Sequence, residues 1–158
     1  MSVTPTEPLR PSVAIERDVD AATAVVAAFV AELQEGWDRS DAAIADRRLA
    51  DGVAWGSPYG ATVDNYDTLF AIHQRLKKQG AGGMHSRYQI NRVLPVSEDV
   101  IVAQVARLAI DDDGRALGPT TQTDGAFSEM ALYVLVRRDN GWWLAAGQNT
   151  PIRPGGAL

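Results

Sequence analysis

The chain has 158 residues, enough for one domain with its own hydrophobic core. Its net charge of −5, from 20 acidic and 15 basic residues, argues against a nucleic acid or an anionic membrane as partner. The absence of cysteine excludes disulfides, thiolate metal ligands and a cysteine nucleophile. No apolar run reaches the roughly 18 residues of a membrane span, and the first residues lack the apolar core of a secretion signal, so a cytoplasmic location is expected.

Both ends of the chain have compositions that do not favour a folded core. Residues 1–15 place Pro5, Pro8 and Pro11 among small polar residues, which bury too little apolar surface to offset the entropy of ordering. Residues 153–158 contain proline and two glycines. We therefore expect flexible tails at residues 1–15 and 153–158, and one folded domain over residues 16–152.

A first helix is predicted over residues 16–35, because apolar residues recur there at spacings of three and four. Gly36 is expected to end this helix. The side chains expected on its buried face are Val19, Ala22, Val26, Phe29 and Leu33.

Two further helices are predicted before the chain turns to strands. A short one runs from Ser40, a residue type that suits an N-cap, to about Asp51. A short strand at residues 53–55 and a turn at residues 56–60 come next. The third helix starts after Asp64 or Asn65 and ends at Gly80, with a buried stripe of Tyr66, Leu69, His73 and Leu76.

The rest of the chain is predicted to be strand. Residues 84–94 and 100–110 alternate or run apolar, and residues 95–99 separate them. Residues 114–125 are expected to form a long mobile loop. Helices followed by a run of antiparallel strands indicate an α+β domain, in which helices cover one face of a curved sheet.

A C-terminal hairpin is predicted at residues 129–152. Asn140-Gly141 lies between two runs rich in β-branched and aromatic residues, which is a strong hairpin signal. Counting outward from this turn predicts the pairs Arg138 with Trp143, Leu135 with Ala146, and Tyr133 with Gln148. Alternation then gives one face with Glu129, Tyr133, Leu135, Leu144, Ala146 and Gln148, and another with Leu132, Val134, Val136, Trp143 and Ala145. Both faces are largely apolar, so one should pack on helices around a cavity and the other on a second sheet or subunit.

Several short segments carry a family resemblance. They are GWDRSD at residues 36–41, LAD at 49–51, GSPYG at 56–60, VLVRRDNGW at 134–142 and QNTP at 148–151. With the helix that contains His73, they resemble the SnoaL-like and ketosteroid-isomerase-like superfamily over roughly residues 18–152. The last two resemble the subgroup labelled DUF4440. The resemblance implies a nuclear-transport-factor-like α+β fold: a cone-shaped, curved antiparallel sheet wrapped around a long N-terminal helix, with three helices in all.

Two departures from that family argue against steroid isomerisation. In ketosteroid isomerases the general base is an aspartate just before the proline of the turn after the first strand, and Ser57 occupies that position here, followed by Pro58. The oxyanion-stabilising tyrosine of the first helix is matched by Leu33. Serine has no accessible basic form near neutral pH, and leucine donates no hydrogen bond. The Asp-Arg-Asp constellation of limonene-epoxide-hydrolase-like members has no evident counterpart.

His73 and Glu129 are the candidate catalytic residues. His73 lies on the buried stripe of its helix and has a near-neutral reference pKa that suits acid/base work. The alternative is a core histidine satisfied by one hydrogen bond. Glu129 is the carboxylate inside a strongly apolar strand, where burial would make it a usable base. Its alternative is an exposed or structural residue near the strand start, and His85 is expected at the surface.

The candidate ligand-binding residues are polar or aromatic side chains near the predicted cavity. Aromatic residues offer large apolar area with one polar handle, although most such residues are simply core. The two glutamines interrupt apolar strands and need a partner, a water or a ligand if buried. The set consists of Trp37, Trp55, Tyr59, Gln104, Tyr133, Gln148 and Asn149.

Two function classes remain open. The first is a SnoaL-like pocket protein that binds a small apolar organic molecule, such as a polyketide-like secondary metabolite, and acts on it by acid/base chemistry. The second is a non-catalytic ligand-binding or assembly module. A homodimer is expected through the outer sheet face, with Trp143 in the interface. No metal or cofactor is expected, because two histidines without paired spacing and no phosphate-cradling loop support neither.

Overall fold

The computed structural model describes residues 9–15, 18–78, 85–118, 127–139 and 141–153. Within these residues the chain forms three helices and six strands. The helices are α1 Val19–Asp38, α2 Ala42–Ala45 and α3 Tyr66–Lys78. The strands are β1 Leu49–Gly56, β2 Thr62–Val63, β3 His85–Ser97, β4 Val100–Ile110, β5 Glu129–Arg138 and β6 Gly141–Pro151.

The six strands form one open, mixed sheet in the order β2-β1-β6-β5-β4-β3. Four of its pairings are antiparallel, but β1 and β6 pair in parallel, which corrects the expectation of a purely antiparallel sheet. The reason lies in the connection: α3 and four other strands of the sheet separate β1 from β6, so no tight turn imposes opposite directions on this pair.

Helix α1 packs across the inner face of the sheet and forms the core with it. The buried helix residues are Ala22, Val26, Phe29 and Val30. They cluster with inward side chains of the strands, among them Val53, Ile101, Val105, Leu135 and Leu144. The predicted stripe is therefore correct in its centre, whereas Val19 at the helix start is 39% exposed.

Gly36 does not end α1, as the sequence suggested, but lies buried inside it, and the helix continues to Asp38. A Cβ on Gly36 would collide with Ala45 of α2. The glycine therefore permits the close approach of two helices.

Helix α2 is only one turn long and does not begin at Ser40. Its N-cap is Asp41, whose carboxylate accepts hydrogen bonds from Ala43 N at 2.8 Å and Ile44 N at 3.3 Å. The predicted helix over residues 40–51 is too long, because β1 already begins at Leu49 and is longer than the predicted strand.

The C-terminal hairpin forms, but its register differs from the predicted one. Arg138 pairs with Gly141, so the turn lies one residue earlier than Asn140-Gly141; Asn140 itself is outside the described residues. Asp139 adopts a φ of 49°, as such tight turns require. A register shift between Val134 and Leu135 then changes the pairing again. As a result Tyr133 faces Gly147, and Leu132 faces Gln148.

The chain ends are described only in part. The backbone N of Ile15 donates to Pro95 O at 2.9 Å, which places this end of residues 9–15 against β3. Residues 1–8 and 154–158 of the predicted tails lie outside the described residues. Residues 119–125 of the predicted loop do so as well.

Candidate functional site

A cavity of about 110 Å³ lies between α1, α3 and the inner face of the sheet. Its volume is of the order of the ~150 Å³ cavity that holds a benzene ring in an engineered protein. The apolar part of its wall is formed by Phe29, Leu33, Trp37, Ala45, Leu49, Trp55, Val105, Ala131, Tyr133 and Leu144. The polar part is formed by Asp46, His73, Lys77, Tyr88, Arg107, Glu129 and Asn149.

Asp46 and His73 form a partly buried pair at this wall. His73 Nδ1 lies 2.8 Å from both carboxylate oxygens of Asp46, which is only 2% exposed. An ionised carboxylate can only accept hydrogen bonds, so Nδ1 carries the proton. Nε2 of a neutral His73 is then the accepting nitrogen. The rings of Trp55 and His73 pack in a T-shaped arrangement, with their centroids 5.7 Å apart.

Arg107 and Glu129 form a second buried pair on neighbouring strands. Arg107 Nε donates to Glu129 Oε1 at 2.8 Å, and its terminal nitrogens donate to Ser86 Oγ and Phe127 O. The two side chains are 6% and 13% exposed. Glu129 Oε2 is buried and has no hydrogen-bond partner among the described residues. An unpaired buried carboxylate oxygen is costly, so it is the atom most in need of a donor.

Trp37, at the end of α1, contacts two cations with its ring. The Arg107 guanidinium carbon is 4.6 Å from its ring centroid, and Lys77 Nζ is 4.8 Å from it. Such cation–π contacts hold both charges against an apolar surface. Lys77 Nζ also donates to the backbone oxygen of Gly36 at 3.2 Å.

Burial changes the ionisation of three groups in the cavity wall. It raises the pKa of Tyr88 well above its ordinary value, although the nearby Arg107 acts in the opposite direction. It also raises the pKa of Tyr133, with smaller contributions from Tyr88 and Glu129. Both phenols therefore stay protonated and can donate hydrogen bonds. Burial lowers the pKa of Lys77, against the opposing effect of Asp46 and Asp41.

Six of the nine predicted site residues line the cavity. Gly147 leaves room for the Trp55 ring, because a Cβ at Gly147 would lie 2.8 Å from that ring. The Trp55 ring in turn stacks near the Tyr133 ring, with centroids 6.4 Å apart. The six are His73, Glu129, Trp37, Trp55, Tyr133 and Asn149.

Gln104, Gln148 and Tyr59 do not line the cavity, which corrects their predicted placement. Both glutamines pair with Leu132 on the outer face of the sheet and are exposed. The one-residue register shift in β5–β6 moves Gln148 outward and Asn149 inward, since side chains alternate. Tyr59 is 74% exposed, and the centroid of its ring lies 5.9 Å from that of Phe127.

Four polar residues of the wall were not anticipated from the sequence: Asp46, Lys77, Tyr88 and Arg107. Arg107 had a usable signal, because an arginine inside the apolar run of β4 must be paired if it points inward. Asp46 had no such signal in the sequence, because its role depends on the packing of α3, which brings His73 next to it.

The two positions that depart from steroid isomerases have ordinary structural roles. Ser57 Oγ accepts hydrogen bonds from Tyr59 N at 3.2 Å and Ala61 N at 3.1 Å, and so organises the turn before β2. Leu33 contributes apolar surface to the cavity. Neither can move a proton on a ligand.

The described residues contain no cluster of three or more side chains that could hold a metal ion. None of the three helices is long and apolar enough over its described residues to cross a membrane.

No protein-family model and no curated protein matches this chain. Solved structures do match it. A domain of unknown function with a cystatin-like fold from Nostoc punctiforme superposes with a TM-score of 0.71 at 17% identity, covering 84% of this chain and 78% of the other. A ketosteroid isomerase-like protein from Erwinia carotovora atroseptica gives a TM-score of 0.63 at 16% identity, covering 89% of this chain and 100% of the other. An NTF-2-like protein of unknown function from Shewanella oneidensis gives a TM-score of 0.65 at 12% identity, covering 81% of this chain and 98% of the other.

These likenesses concern the fold, because the identities are low. The DUF4440 subgroup stays a prediction. The predicted superfamily fold is confirmed: the chain has the α+β cone architecture of ketosteroid-isomerase-like and NTF2-like proteins.

Proposed function

We propose that this chain binds a small, mainly apolar organic molecule in the cavity and moves a proton on it, with His73 as the base. The observation that carries the proposal is the Asp46–His73 pair at the cavity wall, with both contacts at 2.8 Å. A carboxylate that fixes the tautomer and orientation of an imidazole is the arrangement that general base catalysis uses.

The ligand class follows from the size and chemistry of the wall. A volume near 110 Å³ favours a single ring or a short chain over a polycyclic polyketide-like metabolite. Aromatic side chains offer flat contact surfaces. Tyr88 and Tyr133 stay protonated, so each phenol is a hydroxyl donor for charge that develops on a ligand oxygen.

Glu129 is the second proposed proton handler, and its two oxygens have different roles. Oε1 is held by Arg107, whereas Oε2 has no partner among the described residues. We assign Oε2 to a hydroxyl or N–H donor of the ligand. In this arrangement Arg107 positions the carboxylate, and Glu129 orients the ligand relative to His73.

The proposal can be tested without knowing the natural substrate. Cyclopentanone is a carbon acid of suitable size, and exchange of its α-protons in D₂O can be followed by NMR. His73→Gln is expected to lower the protein-dependent exchange rate by about 100-fold or more. His85→Gln is the matched control, because His85 is exposed and is the only other histidine in the chain. Full exchange in His73→Gln would contradict the proposal.

A specific observation also favours the second candidate, a non-catalytic module. The cavity is smaller than the roughly 300–1,000 Å³ of typical ligand sites. Its polar groups could then serve only to satisfy one another around ordered water. In that case neither exchange nor binding of small rings would depend on the cavity residues, and native mass spectrometry would find a bare chain.

We also propose a homodimer through the outer sheet face. Leu132 is 46% exposed there, beside Val134 and Ala146 in a shallow groove of about 520 Å³. A large apolar side chain in the middle of a sheet face is typical of a covered surface. The partner proposed is a second copy of the same chain.

A further inference from the structure

Lys77 stands out among the cavity residues because it places a primary amine at the cavity wall. It lies on α3 one turn after His73, so the two side chains share a helix face that meets the cavity. Its neighbour Leu76 is 47% exposed. Helix α3 therefore presents a leucine to solvent and a primary amine to the cavity, the reverse of the usual distribution.

The surroundings of Lys77 do not include a close counterion. Among the described residues no carboxylate lies within ion-pair distance of Nζ, which instead contacts Gly36 O and the Trp37 ring. Four charged or titratable residues surround it, from three elements: Asp41 and Asp46 at the two ends of α2, His73 of α3 and Arg107 of β4. Arg107 lies on the same indole as Lys77 and repels its positive charge.

The chemical consequence is an amine that is easier to deprotonate than an ordinary lysine. Burial is the main cause of its lowered pKa, and Arg107 adds to the effect. A desolvated lysine next to another cation is the environment in which lysine becomes a nucleophile toward carbonyl carbon. Cation–π contact alone would be satisfied by arginine, which cannot react in this way.

We propose that Lys77 is a nucleophile that forms a Schiff base with a small aldehyde or ketone bound in the cavity. This deepens the proposed function, on which it rests, by naming the substrate class as a carbonyl compound. The reaction would use the same acid/base residue, His73, that lies one turn away on α3.

The steps balance without any oxidant or reductant. The free amine of Lys77 attacks the carbonyl carbon, a C–N bond forms, and the C=O π electrons move to oxygen. His73 Nε2 takes a proton from nitrogen, and the oxygen takes a second proton from solvent hydronium, which is left as water, to become a hydroxyl. The imidazolium then returns its proton to this hydroxyl, which leaves as water as the C=N⁺ bond forms. The resulting iminium acidifies the adjacent C–H, and His73 can abstract that proton.

Lysine occurs twice in the chain, as Lys77 and the exposed Lys78, which gives an internal control. The full-length protein is incubated at pH 7 with cyclopentanone and sodium cyanoborohydride, which reduces an iminium to a stable amine. Peptide mapping by mass spectrometry then measures cyclopentyl modification at each lysine and at the α-amino group. Modification of Lys77 is expected to exceed that of Lys78 severalfold, and the excess should grow as the pH is lowered from 9 to 7.

Equal modification of the two lysines, or a preference for Lys78, would overturn the inference. Because this ratio is measured in the wild-type chain, the test does not depend on a variant that folds. Lys77→Arg, which keeps the positive charge, is expected to lose the adduct and to slow α-proton exchange, whereas Lys78→Arg should change neither.

Failure of this inference can be distinguished from failure of the proposed function. Exchange that depends on His73 but not on Lys77, with no excess adduct, would keep the proton-transfer function and remove the Schiff base. An adduct on Lys77 without any protein-dependent exchange would keep the nucleophile and remove proton transfer by His73. If neither an adduct on Lys77 nor protein-dependent exchange is found, the Schiff base and the proton-transfer function are both wrong.

Discussion

Asp46 and His73 are 27 residues apart in the sequence, yet His73 Nδ1 lies 2.8 Å from both oxygens of the Asp46 carboxylate. Asp46 follows the one-turn helix α2, and His73 lies in the middle of α3. The pair therefore connects two helices as well as lining the cavity. Its geometry gives the first prediction.

Asp46→Asn should impair catalysis through the tautomer of His73. An amide can donate as well as accept, so Nδ1 need no longer carry the proton, and Nε2 need no longer be the basic atom. We expect α-proton exchange of cyclopentanone to fall by about 100-fold, the scale of a lost general base. Asp51→Asn, at an exposed position of β1, is the control and should keep the wild-type rate. An unchanged rate in Asp46→Asn would mean that the carboxylate does not orient the base.

The Arg107–Glu129 pair should matter for stability far more than an exposed pair of the same geometry. Arg107→Met leaves a buried carboxylate without its cation, and breaking such a pair costs about 3–5 kcal/mol in free energy of unfolding. The chain contains a matched control, since Arg137 Nε also lies 2.8 Å from a carboxylate oxygen, that of Asp99, but both side chains are about half exposed. Arg137→Met is expected to cost less than about 1 kcal/mol.

Urea denaturation followed by tryptophan fluorescence measures both values. The double variant Arg107→Met/Glu129→Met should recover part of the loss, because it removes the unpaired charge as well. If the two single arginine variants lost equal stability, burial would not be the decisive difference between the pairs.

The outer sheet face leads to a third prediction, on assembly. Replacing Leu132 with aspartate places a charge in the centre of the proposed interface and should convert a dimer into a monomer in light scattering. Trp143→Glu is expected to do the same if Trp143 belongs to the interface, although this side chain already contacts Arg48 and donates to Arg138 O. Arg92→Glu, an exposed position of β3 at the sheet edge, is the control. A wild-type chain that is already monomeric at micromolar concentration would contradict the proposal.

The sequence predicts the elements of this fold better than it predicts their contacts. Apolar periodicity identifies α1, because its buried face is continuous from Ala22 to Val30. The hairpin is also predictable from its turn signal. The register is not, because one shift between Val134 and Leu135 exchanges the two faces beyond it. That single irregularity explains why Gln148 lies outside the cavity.

The contacts between the charged residues of the site could not be predicted, for a different reason. Arg107 and Glu129 meet only because β4 and β5 pair in a register that places them opposite each other. Asp46 and Lys77 reach the cavity only through the packing of α2 and α3 against the rest of the fold. Sequence patterns report which residues are apolar along one element, whereas these contacts depend on how several elements meet.

The last prediction concerns alkaline pH and follows from the buried phenols. Burial raises the pKa of Tyr88 and Tyr133, so the unfolded chain releases their protons from about pH 10, where the folded chain still holds them. The unfolded state then binds fewer protons, and the free energy of unfolding must fall as pH rises above 10.

Lys77 acts in the opposite direction. Its pKa is lowered in the folded chain, so the free energy of unfolding gains from this group as the pH rises toward the ordinary lysine pKa of 10.5. Tyr66, whose pKa burial also raises, adds to the loss from Tyr88 and Tyr133. Above the ordinary lysine pKa the contribution of Lys77 stops growing, so a net loss remains. Tyr88→Phe should flatten this loss in urea denaturation at pH 9–11, whereas Tyr59→Phe, at a position that is 74% exposed, should leave it unchanged. An identical slope in Tyr88→Phe and the wild type would show that this phenol is not protected from ionisation in the folded chain.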